Sequence, residues 1–296
     1  MSVRPGIPAA KAGGANKRIA WAPWLETGIS FVDSDHRVLV RLINQTADCV
    51  GAHEESPVVG SILESLADYV AFHFGREERL MELCGFPGHA AHVDGHDRLI
   101  EEILEFQDRH RKAPAEVAPG NLLEFLMRWL VEHIVKEDFA YARFCRHDET
   151  AIGEAASIGI AGRSSAIDWS NLRVLVVEDN PNFAKLLLTL LRAGGVEDVR
   201  LAGGGLEALD RLSGRPADLV LSDLTMDDLP GDELARRIFA LSPFTRVAFV
   251  SGVEESTLRR RAAVAGVDAF LEKPISAGRL FDVLSRTMQG TVKPAA

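Results

Sequence analysis

The rhythm of hydrophobic and polar positions changes once along the chain. From about Trp24 to Arg146, apolar residues recur at three- and four-residue steps, the period of amphipathic helices. From about Leu172 to Met288, short apolar runs alternate with helical stretches, which predicts βαβ units on a parallel sheet. Between them, "HDETAIGEAASIGIAGRSSAIDWSN" is rich in Ala, Gly and Ser and reads as a linker. Its Ile152, Ile158 and Ile160 would let part of it dock, or pair with another chain as a homodimer. The expected organisation is multidomain. A flexible tail spans 1–20, an all-α up-down four-helix bundle 21–147, a linker 148–170, an α/β doubly wound domain 171–290 and a short tail 291–296.

The helical half divides into four. The first helix opens near "DSDH", where Asp33, Ser34 or Asp35 could cap it, and ends near Ala52. The second runs from about Val59 to Cys84 and stops at the breaker cluster "GFPG". The third runs from about His89 to Arg111, and the fourth from about Asn121 to Cys145.

Each stripe contains residues that do not belong in an oily core. On the second helix, Ile62, Leu66, Tyr69 and Val70 lead into His73 and Glu77 before Leu80 and Met81. His92 and His96 precede Leu99, Ile100 and Ile103 on the third. Leu126, Trp129 and Leu130 lead to His133 and Asp138 on the fourth, and His36 precedes Leu39, Val40 and Ile43 on the first. One such histidine is ordinarily a hydrogen-bonded core residue, whereas seven polar groups at repeated spacing form a cluster. Burying them unpaired would cost several kcal/mol per ion, and a metal removes that cost. Imidazole and carboxylate suit iron, zinc or manganese, and seven ligands exceed one tetrahedral zinc, so two ions bridged by two carboxylates use the set best. The remaining histidines, His53, His89, His110 and His147, read as mostly solvated surface.

The segments "FVDSDH", "HFGREE", "HVDGH" and "HIVKED" resemble, in order and spacing, the four ligand segments of the hemerythrin and bacteriohemerythrin family. The resemblance covers about Trp24 to Phe144. It implies a non-haem di-iron centre that binds O2 reversibly. His92, His96 and His133 would hold one iron. His36 and His73 would hold the other, with a position open for O2 and with Glu77 and Asp138 bridging. Trp129, Leu130 and Ile134 would line the O2 pocket. Asp35 stands where the family often has Gln, so hydrogen bonding behind the ligands should differ. His133 and Asp138 lie five residues apart, about 140° round an ideal helix. A local π-turn, or a carboxylate reaching around, is required.

In the second half, "LRVLVVEDN" ends in Glu178 and Asp179, "ADLVLSD" in Asp223, "TRVAFVSG" in Ser251, and "DAFLEKP" carries Lys273. Ligands of an open parallel sheet bind beyond the carboxyl ends of its strands, where these residues fall. Three close acids need a cation, and Mg2+ suits them. Asp223 is the candidate phosphoacceptor, with Ser251 and Lys273 to hold phosphate oxygens. This half resembles the receiver domain of two-component response regulators over about Leu172 to Met288. That implies a flavodoxin-like five-stranded sheet and phosphotransfer from a sensor histidine kinase. It also implies a main-chain Mg2+ contact from Thr225, a cis Lys273–Pro274 bond and a switch through Phe270. Met226 is followed by Asp227 where the family usually has Pro, while Gly231 keeps its position.

Bulk properties narrow the setting. The 296 residues suit two domains, and the net charge of -10 argues against a nucleic-acid footprint. Cys49, Cys84 and Cys145 show no CxxC spacing. No signal-peptide core and no apolar run long enough for a bilayer are legible, so a cytoplasmic protein without membrane contact is expected. No output enzyme is recognisable, and no enzymatic activity is expected beyond accepting a phosphoryl group. The leading expectation is a signalling protein that couples O2, NO or redox sensing to phosphorylation, acting on an unknown downstream protein. An O2 carrier or scavenger whose receiver sets location or partner is the alternative. An oxidative enzyme fits the histidine-rich ligand set less well.

Overall fold

The computed structural model describes residues 18–52, 56–113, 119–160, 167–267 and 269–289. The expected tails lie almost wholly outside these residues, as do linker positions 161–166 and His53. Helices α1 (Ser30–Ala52), α2 (Ser56–Cys84), α3 (His89–Lys112) and α4 (Pro119–His133) form the bundle. The fourth limb continues through a π-helical turn, Ile134–Asp138, into α5 (Phe139–Cys145). Each helix buries the stripe its spacing predicts, including Leu39 and Ile43, Ile62 and Leu66, Leu99 and Ile103, and Leu126 and Leu130. The first helix opens earlier than expected because Asp33 is engaged elsewhere. Its carboxylate accepts from the Thr27 amide at 2.7 Å, the Thr27 hydroxyl at 2.8 Å and the Gly28 amide at 3.2 Å, which folds the entry loop onto α1.

The expected linker begins as a further helix, α6 (Glu149–Ala156). Asp148 caps it by accepting from the Ala151 amide at 3.0 Å. Ala151 and Ala155 are small enough to bury α6 closely against Met81, Tyr141 and their neighbours. Ile152 packs on the same cluster and Ile160 on the main core, so the apolar residues of this stretch do dock within the chain.

The second half alternates β1 (Arg173–Val177), α7 (Pro181–Ala193), β2 (Asp198–Ala202), α8 (Gly205–Gly214), β3 (Leu219–Ser222), α9 (Gly231–Leu241), β4 (Arg246–Ser251), α10 (Glu255–Ala265), β5 (Ala269–Glu272) and α11 (Ala277–Gln289). The five strands are parallel in the order β2-β1-β3-β4-β5. β1, β3 and β4 are buried almost throughout, as their unbroken apolar runs require, and the less buried β2 and β5 form the edges.

The two halves share one core. Ile43, Ile62 and Leu66 of the bundle belong to the same apolar cluster as Leu186, Leu190, Ile275 and Leu280. Polar contacts fix the register across the seam. The Ser65 hydroxyl donates to Ile275 O at 3.2 Å, Ser61 Oγ accepts from Ile275 N at 3.1 Å, and Asp68 caps α11 by accepting from Gly278 N at 2.8 Å. Gln45 donates to the Thr189 hydroxyl at 2.8 Å. His110, expected at the solvated surface, is buried instead. A Cβ on Gly60 would lie 3.8 Å from its ring and 3.2 Å from Pro274 Cβ, at the seam between the halves. His147 is exposed and His89 half-buried.

A Cβ at Gly231 would sit 2.3 Å from the carbonyl oxygen of Asp223, a backbone atom that cannot swing away, whereas one at Gly75 meets nothing within 4 Å. In urea denaturation, Gly231→Ala should destabilise by roughly 1–3 kcal/mol. Gly75→Ala, on an exposed helical face, should stabilise by about 1 kcal/mol. Burial also lowers the His110 pKa from its ordinary 6.5. The unfolded chain therefore takes up this proton more readily, and stability should fall as pH drops below about 6.5. His110→Asn should shrink the difference in metal-free stability between neutral and mildly acidic pH, and an unchanged difference would refute the assignment.

Candidate metal centre and phosphoacceptor site

All four limbs of the bundle bring their polar residues to one place. His36, His73, Glu77, His96 and Asp138 are wholly buried, and His92 and His133 nearly so. Among the described residues, two groups have the spacing to hold a metal ion: Glu77, His92, His96 and His133, and His36, His73 and Glu77. Glu77 spans both. Its Oε1 lies 3.3 Å from His73 Nε2 and 3.8 Å from His36 Nε2, while Oε2 lies 3.4 Å from His96 Nε2 and 3.9 Å from His92 Nε2. Asp138 does the same, with Oδ2 3.2 Å from His36 Nε2 and Oδ1 3.0 Å from His133 Nε2. The π-helical turn makes this possible, because the widened turn brings Asp138 round beside His133.

The expected pocket residues separate. Leu130 and Ile134 are sealed in the core, while the half-buried Trp129 stacks on His133 with ring centroids 4.9 Å apart. Trp129 also lines a groove of about 480 Å³ with His92, Gly95 and Phe86, which Leu130 and Ile134 do not reach.

In the sheet domain, Glu178 and Asp179 follow β1, Asp223 follows β3, Ser251 ends β4 and Lys273 follows β5. Lys273 Nζ donates to Glu178 Oε2 at 2.9 Å and to Asp223 Oδ2 at 2.8 Å. Asp223 Oδ1 accepts from the Ser251 hydroxyl at 3.0 Å and from the Thr225 amide at 2.9 Å. Asp179 is exposed at the mouth of the site, and the Lys273–Pro274 bond is cis. Phe270 is half-buried, 5.1 Å beneath the Arg259 guanidinium.

Residues 27–145 match the family model described as hemerythrin HHE cation binding domain, and residues 174–285 match response regulator receiver domain. A bacteriohemerythrin of Pseudomonas aeruginosa is 31% identical over 141 residues, covering 48% of this chain and 90% of that protein. The chain belongs to the bacteriohemerythrin family. Its second half is a response regulator receiver domain. The sensor histidine kinase RcsC of Salmonella typhimurium is 30% identical over 183 residues, 62% of this chain but 18% of the kinase. A solved hemerythrin point mutant is 30% identical, covers 43% of this chain and 95% of its own, and superposes with a TM-score of 0.40. A hemerythrin domain and a receiver domain in one chain together support a two-component signalling protein.

The hemerythrin cluster fits non-haem iron on its own chemistry. Nε2 of His36, His73 and His92, Glu77 Oε2 and both Asp138 oxygens are buried without a hydrogen-bond partner among the described residues. Such atoms are costly unless something binds them. Burial alone would raise the Glu77 carboxyl, yet the imidazoles, His73 foremost, hold it well below the ordinary carboxylate range. Burial and Glu77 push Asp138 up, and His133 and His36 more than reverse them. Burial opposes charge on His133 as well, but Asp138 raises it well above an ordinary histidine. Each carboxylate thus demands positive charge from the nitrogens facing it, a demand that a cation meets.

Residues that the sequence reading did not single out complete the centre. Glu78 lies 2.8 Å from His96 Nδ1 and Glu137 3.3 Å from His133 Nδ1, which turns each Nε2 inward. Tyr141 donates to Glu77 Oε1 at 2.5 Å, and Phe74 stacks on His96 at 3.5 Å. Glu137 carried a signal, its four-residue step from His133. Glu78 and His96 meet only through the tertiary fold. In the receiver domain, burial and Asp223 raise the Glu178 carboxyl to about 7 against the pull of Lys273.

Carboxylates behind ligating histidines typically matter 10–100-fold in metal affinity. Glu78→Gln should therefore weaken Fe(II) binding by roughly that factor in a chelator competition. Chelating the metal should lower the melting temperature of the native chain, since the ion binds only the folded state. Wild-type affinity in Glu78→Gln would refute its role.

Proposed function

We propose that this chain couples a di-iron sensor of O2, NO or redox state to phosphorylation of Asp223. The observation that supports the reading is the placement of α2. Its C-terminal half carries His73 and Glu77, while Ser61, Ser65 and Asp68 on its N-terminal half hold Ile275 and Gly278. Those residues follow Lys273, which grips Asp223. One helix therefore bears on both sites.

In this reading, His92, His96 and His133 would hold one iron and His36 and His73 the other, with Glu77 and Asp138 shared between the two groups. Such a pair would supply a site for O2. The chain's own residues do the rest. Tyr141 keeps a hydrogen bond on Glu77, Glu78 and Glu137 orient imidazoles, and Phe74, Leu130 and Ile134 exclude water. In the receiver domain, Glu178, Asp179, Asp223 and the Thr225 main chain are the candidates to hold Mg2+. Asp223 attacks the phosphorus of a phosphohistidine on a sensor kinase, and the kinase imidazole departs. Lys273 and Ser251 then hold the phosphoryl oxygens, and Phe270 reports the change to an unknown protein. The chain works as a switch rather than an enzyme. Cys49, Cys84 and Cys145 form no disulfide among the described residues, which suits the cytoplasm, and no described helix is long and apolar enough to cross a membrane.

The test is an absorption spectrum of reduced, iron-quantified protein under nitrogen, then air, then nitrogen, with and without beryllofluoride. About two irons per chain and a visible band that comes and goes with O2 are expected, with O2 affinity shifted by beryllofluoride. No reversible band would refute O2 binding. A reversible band indifferent to beryllofluoride would refute coupling and favour the carrier.

A further inference from the structure

A second line of contacts leaves the metal centre through His73. Its Nε2 faces Glu77, and its Nδ1 faces Asp35, whose Oδ2 lies 3.5 Å away. Asp35 is 3% exposed and held from two sides. The Tyr69 hydroxyl donates to Oδ1 at 3.0 Å, and Arg76 Nη1 donates to Oδ1 and Oδ2 at 2.9 and 2.8 Å. The same guanidinium reaches the end of α6. Its Nε donates to Ala155 O at 3.4 Å and its Nη2 to Ala156 O at 3.0 Å. Phe31 and Phe72 flank it, with ring centroids 4.5 and 5.1 Å from Cζ.

Nothing in the reaction assigned above uses Arg76, yet its burial needs a reason. An arginine leaves water only against a paired carboxylate, and Asp35 without Arg76 would be an uncompensated charge in the core. The other donors meet the last carbonyls of α6, where the helix dipole favours a cation. A planar guanidinium can serve both partners at once, and an ammonium cannot. Any shift of Asp35 with His73 is therefore carried to the end of α6, from which the chain runs on to the receiver domain.

We propose that Arg76 is a positioning residue that ties His73, through Asp35, to α6, so that metal at the bundle centre and docking of α6 strengthen each other. The proposal rests on the di-iron reading. Because the coupling is reciprocal, it can be read from either end.

Hydrogen exchange of the α6 amides and Fe(II) affinity, measured on the full chain with and without iron under nitrogen, test it. In the wild type, iron should slow α6 exchange several-fold. Arg76→Gln should abolish that response and weaken Fe(II) binding roughly tenfold or more. Arg76→Lys keeps a cation beside Asp35. It should recover most of the iron affinity without the α6 response, and it serves if the glutamine variant does not fold. Arg79 pairs with Glu154 of α6 without touching Asp35. Arg79→Ala should speed α6 exchange in both states and keep the response to iron. An α6 response retained in Arg76→Gln and Arg76→Lys overturns the proposal. A wild type that binds iron with no α6 response overturns it too, while leaving the di-iron reading intact. A chain that binds no iron overturns both.

Discussion

Two carboxylates and five imidazoles cannot share one dry level of a helical bundle without added positive charge, and the first domain is built around that constraint. The acids do not neutralise each other. Glu77 raises Asp138, and only the histidines bring it back down. Each acid turns one oxygen toward each histidine group, so the site is organised for charge at two points. The local helix geometry yields to this requirement. An α-helical turn would carry Asp138 away from His133, and the chain takes a π-turn instead.

The receiver domain meets a similar demand with its own side chain. Lys273 bridges Glu178 and Asp223, and its ammonium is held charged against burial by those two acids. Asp179 sits outside, where water screens it. The balance is incomplete, as Glu178 near 7 indicates, since burial and Asp223 outweigh the lysine there.

Much of this was legible in the sequence, because periodicity reports which face a residue occupies. The seven ligand-type residues interrupt apolar stripes, and the stripes place them inward. The five-residue step from His133 to Asp138 announced a helix distortion. The strand-end acids, Ser251 and Lys273 were legible because a parallel sheet collects its carboxyl ends on one side. What escaped depends on contacts between helices. His110 reads as surface until α2 brings Gly60 beside it, and Glu78 means nothing until α3 brings His96 beside it. The stretch 149–156 reads as linker because its small residues carry little periodic signal. Those same small residues allow α6 to lie close against the bundle. The resemblance places Trp129, Leu130 and Ile134 along one dry pocket; in the structure Leu130 and Ile134 are buried and Trp129 also reaches an open groove.

Helix α2 is where the two domains become one mechanical object. Sixteen residues separate Ser61 from Glu77, about 24 Å of continuous helix. A helix of that length, packed on α1, α3, α6 and α11 among others, moves more readily as a body than it bends. At one end it contacts main-chain groups of the loop after Lys273, and at the other its own Glu77 faces His36 of α1 and His96 of α3. Arg76 and Arg79 add a third attachment, to α6, on the same helix. The receiver is thus held at both its connecting segment and its β5–α11 loop by the element that carries His73 and Glu77. In the proposed coupling, a change at either site that favours a different position of α2 would be felt at the other, with the same coupling free energy in both directions.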